Sequence, residues 1–358
     1  MSHITEVTLR VPAVTIGLDI GDRKSYLYAI DQAGQCVEER SVLTALDAIT
    51  QEFAHRAPCR IVMEVGTHSP WLSMTLVQLG HEVFVANPSA MYGHQRRRKR
   101  NDRMDAEYLA RLGRTDPTLL HAIRHRGAQA QKHLATLRAR DALVSSRTKL
   151  INHVRGSLKS AGVRVRKCSA EAFTRRAREV IPADLAEALL PILATCDELT
   201  RQIRRYDARI VQLLETHYAQ EGQRLQQVAG VGPVTALAVL LLIDDPHRFA
   251  DSRDVAAYFG LVPRLDESSA QQPQLRITKS GDKLGRRLLV SAAQYILGPF
   301  GPDCDLRRFG EALMQRGGKN AKKRAVVAVA RKLAVLLHVL WIHDRDYDPT
   351  RLSRQRAA

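Results

Sequence analysis

Aromatic residues are scarce in this chain, 5% of 358 residues. Proteins that grip single strands by stacking bases on Phe, Tyr and Trp need more of them, so a base-stacking binder is disfavoured. Cysteine is sparse too: five residues, at 36, 59, 168, 196 and 304, with no Cys-x-x-Cys pair. This spacing offers neither a zinc site nor a disulfide framework, and free thiols in a reducing compartment are the expectation. The opening MSHITEVTLRVPAVTIGLDIG lacks the basic stretch and long apolar core of a secretion signal. The apolar run VTALAVLLLI at 234–243 is too short to cross a bilayer. No internal repeat is evident. A soluble cytoplasmic protein without a membrane partner is therefore expected.

Positive charge is abundant. The net charge is +18, with a pI near 10.1. Arginine supplies most of it, and arginine contacts phosphate in bidentate fashion. An excess of this size points to nucleic acid or an anionic membrane surface. Hydrophobic residues make up 45% of the chain, enough for packed cores. The length predicts two or three domains.

The first third alternates strands and helices. AVTIGLDIG (13–21), SYLYAID (25–31) and CVEERSVL read as three strands in hairpin order. TALDAITQEFAHRA has helical spacing, CRIVMEVG (59–66) reads as a buried strand, SPWLSMTLVQLG as a helix and HEVFVANP as a further strand. The expected fold is α/β, a mixed sheet flanked by helices. Residues 130–162 then form a long polar helix. A heptad seam runs from Leu185 through Leu189, Ile192, Cys196, Leu199, Ile203, Tyr206 and Ile210 to Leu213. It predicts a helical hairpin or coiled coil acting as a spacer or dimerisation arm. These changes divide the chain into 1–116, a helical linker at 117–220, a mainly α unit at 221–345 and a tail at 346–358. In the last unit, Gly230 and Gly232 precede Pro233 and an apolar helix, like the turn of a helix-hairpin-helix, whose backbone N–H groups can receive a phosphate.

Four acids stand out. Asp19 ends the first strand and Glu64 the fourth, each in an apolar run where a carboxylate is awkward without something to neutralise it. Asp102 and Asp105 are three apart and share a helix face. Four carboxylates from two strand ends and one helix suit a pair of Mg²⁺ ions, which take hard oxygen ligands and stabilise both oxygens of a phosphodiester displacement. Each acid has a plainer alternative: Asp102 could cap its helix, and Asp22 could replace Asp19. Arg96, Arg97, Arg98, Lys99 and Arg100 lie beside the helical pair, where they would hold the phosphate strand or form a solvated face.

On the strand order and the pattern D…E…D-x-x-D, the first domain resembles the RuvC-like branch of the ribonuclease H fold. Further on, GLVPRLDESS is followed by LRITKSGDKLGRRLLVSAAQ and by GGKNAKKRAVVAVARKLAVLLH. With GLDIG, MEVGTHSPW and NDRMDAEYLARL, these resemble, in order, the DEDD-type insertion-sequence transposases. This is the IS one-ten / IS eleven-eleven family, also called bridge-RNA-guided recombinases. The resemblance implies that Asp19, Glu64, Asp102 and Asp105 bind the metal. It also implies that Ser268 is a nucleophile forming a phosphoserine link to DNA. Many members have glycine after that serine, whereas here Ser269 follows, so its hydroxyl is an alternative. No histidine base lies near, so activation would come from a metal or carboxylate of a RuvC-like domain, including a partner subunit's.

Arg264, Arg276, Lys279, Arg286 and Arg287 would clamp phosphates near the serine. Lys319, Lys322, Lys323 and Arg324 would add a basic helix start. The implied partners are double-stranded DNA at the element ends and target, an element-encoded guide RNA, and a homodimer assembling to a tetramer. Rival readings are a metal-only Holliday-junction nuclease, a related DNA invertase and a non-catalytic nucleic-acid binder.

Overall fold

The computed structural model describes residues 12–88, 101–264, 275–351 and 354. Contacts divide the chain into two units, Met1–His125 and Arg126–Ala358.

The first unit is built on one five-stranded sheet. Strands β1 (Thr15–Asp19), β2 (Lys24–Ile30) and β3 (Cys36–Leu43) pair antiparallel in sequence order. After α1 (Leu46–Phe53), β4 (Arg60–Glu64) returns parallel to β1; α2 (Ser69–Gln78) leads to β5 (Glu82–Ala86), parallel to β4. The strand order is β3-β2-β1-β4-β5. The middle residues of β1 and β4, Ile16–Leu18 and Ile61–Met63, are apolar because both faces of the central strands are covered. On one face Ile16, Leu18, Ile61 and Met63 pack with Ile49 and Phe53 of α1 and with Leu72 and Leu76 of α2. On the other, Tyr28, Ile30 and Val62 meet α3 (Asp102–Thr115) through Ala106, Leu109 and Ala110.

The second unit is helical. Helices α4 (Ala128–Ser160) and α6 (Ala183–His217) run antiparallel, as Arg147 Nη1 donating to Thr200 Oγ1 (3.1 Å) and Arg140 Nε to Asp207 Oδ1 (2.5 Å) show. The heptad seam faces inward here: Leu189 and Cys196 pack with Val154, Leu158 and Phe173 of the short α5 (Ala170–Arg178), and Ile210 and Leu213 with Leu134 and Leu137. The partner along this seam is thus the same chain.

The hairpin is rooted in a large core with α7 (Ala219–Gln226), α8 (Pro233–Ile243), α9 (Asp254–Tyr258), α10 (Lys283–Ile296), α11 (Asp305–Gln315) and α12 (Ala321–Ile342). Residues Thr235–Ile243 are all buried, so the run at 234–243 is a core helix. Among the described residues, one helix is long and apolar enough to cross a membrane, α12, which the sequence reading passed over. Half of its apolar window is buried in the protein, through Val329, Leu333 and Leu337 among others, which accounts for its composition as a core helix.

Candidate active site

Strand alternation turns Asp19 and Glu64 to the face of the sheet that carries the helix with Asp102 and Asp105. With Ile16 and Leu18 of β1 and Ile61 and Met63 of β4 committed to one face, Gly17, Asp19, Val62 and Glu64 turn to the other, where α3 lies. Gly17 lets the helix come close. A Cβ built there would lie 1.9 Å from the Ala106 carbonyl oxygen and 2.6 Å from the Ala110 nitrogen. Gly113 does the same from the helix side, with Val62 Cγ2 at 2.3 Å from the equivalent position. Buried Arg60 pins that end of α3, donating from Nη1 to the Gly113 carbonyl (2.9 Å) and from Nε to Glu82 Oε2 (2.8 Å). The later turns of α3 thus lie over the body of the sheet. Its first turn, with Asp102 and Asp105, points toward the strand ends that carry Asp19 and Glu64.

Electrostatics records this convergence. The Asp19 carboxyl is raised from 3.8 to about 6, first by burial and then by the negative charges of Asp102, Asp105 and Glu64. Asp102 is not the helix cap: Asn101 is, its Oδ1 accepting from the Met104 N–H at 2.9 Å. Asp22 is almost fully exposed and meets His68 Nε2 at 3.5 Å. His68 is held in turn by Trp71, whose Nε1–H donates to His68 Nδ1 at 3.1 Å.

The acids offer only hard oxygen donors, the set a divalent cation such as Mg²⁺ takes. Their excess negative charge is what such a cation would relieve. Among the described residues, no three His, Cys, Asp or Glu side chains are already close enough to hold a metal ion. Like-charged carboxylates stand apart, and ligation requires their side chains to draw in.

In the second unit the described basic residues form a groove of about 900 Å³. Arg276, Lys279, Lys319, Lys323, Arg324 and Arg331 line it, and among the described residues no carboxylate does. Its floor is a short two-stranded ladder. Pro263 bridges Ile277, the Arg264 N–H donates to the Arg276 carbonyl at 3.0 Å, and the Thr278 N–H to the Val262 carbonyl at 2.9 Å. The stretch between the ladder's two sides carries Ser268 and Ser269, both outside the described residues. Pro263 and Leu275, on either side of that stretch, both line the groove. The opposite wall begins α12, whose first turn carries Lys322, Lys323 and Arg324 and no acid. Positive charge at a helix N-terminus opposes the helix dipole, so this placement costs stability and favours an incoming anion.

The other expected contacts are distributed differently. Arg96–Arg100 lie outside the described residues. Arg286 is occupied internally, its Nη1 donating to the carbonyls of Phe259 (2.9 Å) and Ser280 (2.8 Å). Arg287 pairs with Asp141 of α4. Neither lines the groove, so as placed their contacts are structural. Lys322 is exposed beside the groove without lining it, and Arg264 is exposed at the ladder's end. Gly230, with φ +81°, and Gly232, the N-cap of α8, line a separate hollow of about 530 Å³ that has no cationic side chain.

The sequence reading, which placed Arg324 with Lys322 and Lys323 in a basic helix start, missed Arg331. The i, i+4, i+8 spacing of Lys323, Val327 and Arg331 along one helix face was the available signal.

Two family models match the chain, one over the four acids and one over the two serines. A family model described as a transposase matches residues 16–162, and one described as "Transposase IS116/IS110/IS902 family" matches 222–303. A probable family 20 transposase of Pseudomonas aeruginosa is 28% identical over 340 residues, covering 93% of this chain and 98% of that protein. The transposase for insertion sequence element IS1111A of Coxiella burnetii is 28% identical over 344 residues, covering 93% and 90%. The pilin gene-inverting protein of Moraxella lacunata is 28% identical over 151 residues, 41% of this chain and 45% of that one. The first model spans the acid-bearing sheet and the second contains Ser268 and Ser269, and on both the chain belongs to the IS116/IS110/IS902 family of transposases, DNA recombination enzymes.

Proposed function

We propose that the chain is the transposase of an insertion sequence, cutting and rejoining DNA with a RuvC-like, metal-binding first domain and a serine nucleophile in the second. The observation that carries the metal half is the elevation of Asp19 to about 6 by burial and by Asp102, Asp105 and Glu64. These four are the residues to hold Mg²⁺, two ions by the family resemblance. A cation there supplies charge neutralisation at the attacking and leaving oxygens of a phosphodiester displacement. The six groove cations hold the DNA phosphates on either side of the reacting one.

The reaction then runs through the chain's own serine. Ser268 Oγ, with Ser269 as the alternative, gives up its proton and bonds to phosphorus. The P–O bond to one strand breaks, and the leaving oxygen takes a proton to become a hydroxyl. The phosphoserine ester keeps the bond energy for rejoining when that step is reversed with a new strand end. By the same resemblance, an element-encoded RNA pairs with donor and target DNA, and the protein acts as a dimer that forms a tetramer. The six basic residues lining a groove beside the ladder of Pro263 and Ile277, which flanks the serines in sequence, support this reading, because a metal-only nuclease needs no such second site. The likeness to a pilin gene-inverting protein favours one variant, inversion of a segment by the same chemistry.

The test is a denaturing gel. The protein is incubated with Mg²⁺, element-derived RNA and labelled junction DNA. Ser268→Ala, Ser269→Ala and Asp19→Ala are compared with wild type. A covalent adduct lost in Asp19→Ala and in one serine variant is expected. Cleavage with no adduct, surviving both serine changes, overturns the serine mechanism and leaves a metal-dependent nuclease.

A further inference from the structure

The far end of the α4/α6 hairpin has a small core of its own, in which Ile151, Val154 and Leu158 of α4 close on Phe173 and Ala177 of α5 and on Leu189 and Leu193 of α6. A spacer's turn needs no such head. Its charge is lopsided as well: residues 147–187 carry ten Lys and Arg against four Asp and Glu.

Part of that charge is structural. Arg155 lies over the Phe173 ring at 4.7 Å and donates to Cys168 Sγ, and Arg176 Nη1 donates to the Lys167 carbonyl at 3.2 Å. Arg147 pairs with Glu171, and Arg178 with Asp197. Arg155 and Arg176 fasten the end of the connecting stretch, at Lys167 and Cys168, and the two ion pairs tie α5 to α4 and α6.

The rest has no such role. Val163 and Val165 pack against the small core, so alternation along the extended stretch turns Arg164 and Arg166 outward, with Lys167 beside them. Lys159 at the end of α4 and Arg175 on α5 are exposed too. None of these five side chains makes an ion pair among the described residues, nor does the sixth, exposed Lys149 of α4. Like charges crowded on a fastened scaffold repel one another, and a polyanion relieves that repulsion.

We propose that this head is a second docking surface, for the backbone of duplex DNA, apart from the groove beside the serine-bearing stretch. Duplex is favoured over single strand because Phe173 is the one aromatic side chain in 147–187 and it is buried, so no platform for unpaired bases exists. Backbone contact without base readout is what exposed Arg and Lys on an extended stretch supply. DNA is favoured over RNA because it is the family's substrate. The proposal rests on that membership and not on the serine or the metal.

Binding of the full chain to labelled 40-bp duplex DNA is measured by fluorescence anisotropy in EDTA across potassium chloride concentrations. Arg164→Ala/Arg166→Ala/Lys167→Ala is compared with wild type and with the charge-keeping Arg164→Lys/Arg166→Lys. Three lost phosphate contacts should flatten the log–log salt slope by about 2.7. Wild-type affinity should then fall about 40-fold further than the triple variant's between 50 and 200 mM salt. The Lys variant should keep the wild-type slope, which separates charge from folding. An unchanged slope in the triple variant overturns the proposal. So does tighter binding to duplex RNA or single-stranded DNA that the triple change abolishes. No cleavage enters this measurement, so failure of the serine mechanism would leave its outcome untouched.

Discussion

The raised carboxyl of Asp19 predicts that replacing a proposed metal ligand stabilises the metal-free protein. The ionised form is disfavoured in the fold, so the penalty is full above about pH 6. It shrinks as pH falls through 6 toward 3.8 and is gone below that. The rise from 3.8 to about 6 corresponds to at most ~3 kcal/mol. Asp19 is partly solvated, and screening brings the working figure to ~1–2 kcal/mol. Asp19→Asn removes the charge at nearly constant volume. In EDTA at pH 7.5 it should therefore raise stability by ~1–2 kcal/mol, a gain of roughly 2–6 °C in melting temperature. At pH 4 the gain should vanish.

Added Mg²⁺ should reverse the ranking, because a ligand that binds only the folded state stabilises wild type by linkage and finds a weaker site in the variant. Thermal melts followed by circular dichroism at both pH values, with EDTA or Mg²⁺, supply the comparison. A variant less stable than wild type at pH 7.5 in EDTA would falsify the account. Equal stabilisation of both proteins by Mg²⁺ would refute the metal assignment.

Gly17→Ala should inactivate the enzyme without touching an acid: its Cβ meets helix backbone at 1.9 Å, and separating β1 from α3 should cost at least ~3 kcal/mol, read as a lowered denaturation midpoint. Lys319→Ala/Lys323→Ala should weaken binding to all DNA sequences alike and flatten the salt slope by about 1.8 in anisotropy titrations. Arg286→Ala should act on stability first, by ~2 kcal/mol, because two turn carbonyls lose their donor; normal melting with impaired DNA binding would instead make it a phosphate clamp.

The strands and helices of the first unit were legible because their signals are local. CVEERSVL is bounded by a turn and became β3 at Cys36–Leu43, and Ser69-Pro70 begins α2 as a helix start should. The acids could be singled out because a carboxylate in an apolar run contradicts its surroundings. Their convergence could not be derived from spacing alone, since it depends on how near α3 comes to β1. The determinants of that approach, Gly17 and Gly113, read in sequence as ordinary small residues. The heptad seam was legible as a seam but not as to its partner, because a period of 3.5 describes one surface and says nothing of which chain covers it. Arg286 and Arg287 looked like their neighbours Arg276 and Lys279 for a similar reason. Only the fold separates a guanidinium turned toward backbone carbonyls from one that lines a groove.

The net charge, too, has a distribution that composition conceals. Of the +18, the second unit holds +17, with 40 Lys and Arg against 23 Asp and Glu. The first unit has 15 against 14, and without Arg96–Arg100 it would be acidic by four. An acidic body repels the polyanion on which its carboxylates are proposed to act, and the field of the whole unit decides that as much as any single contact. The five-residue run that precedes Asp102 and Asp105 in the sequence brings the unit to near neutrality, while the charges acting on the Asp19 carboxyl are those of Asp102, Asp105 and Glu64, which raise it. The densest basic run thus compensates the proposed metal-binding acids at the level of the unit's net charge.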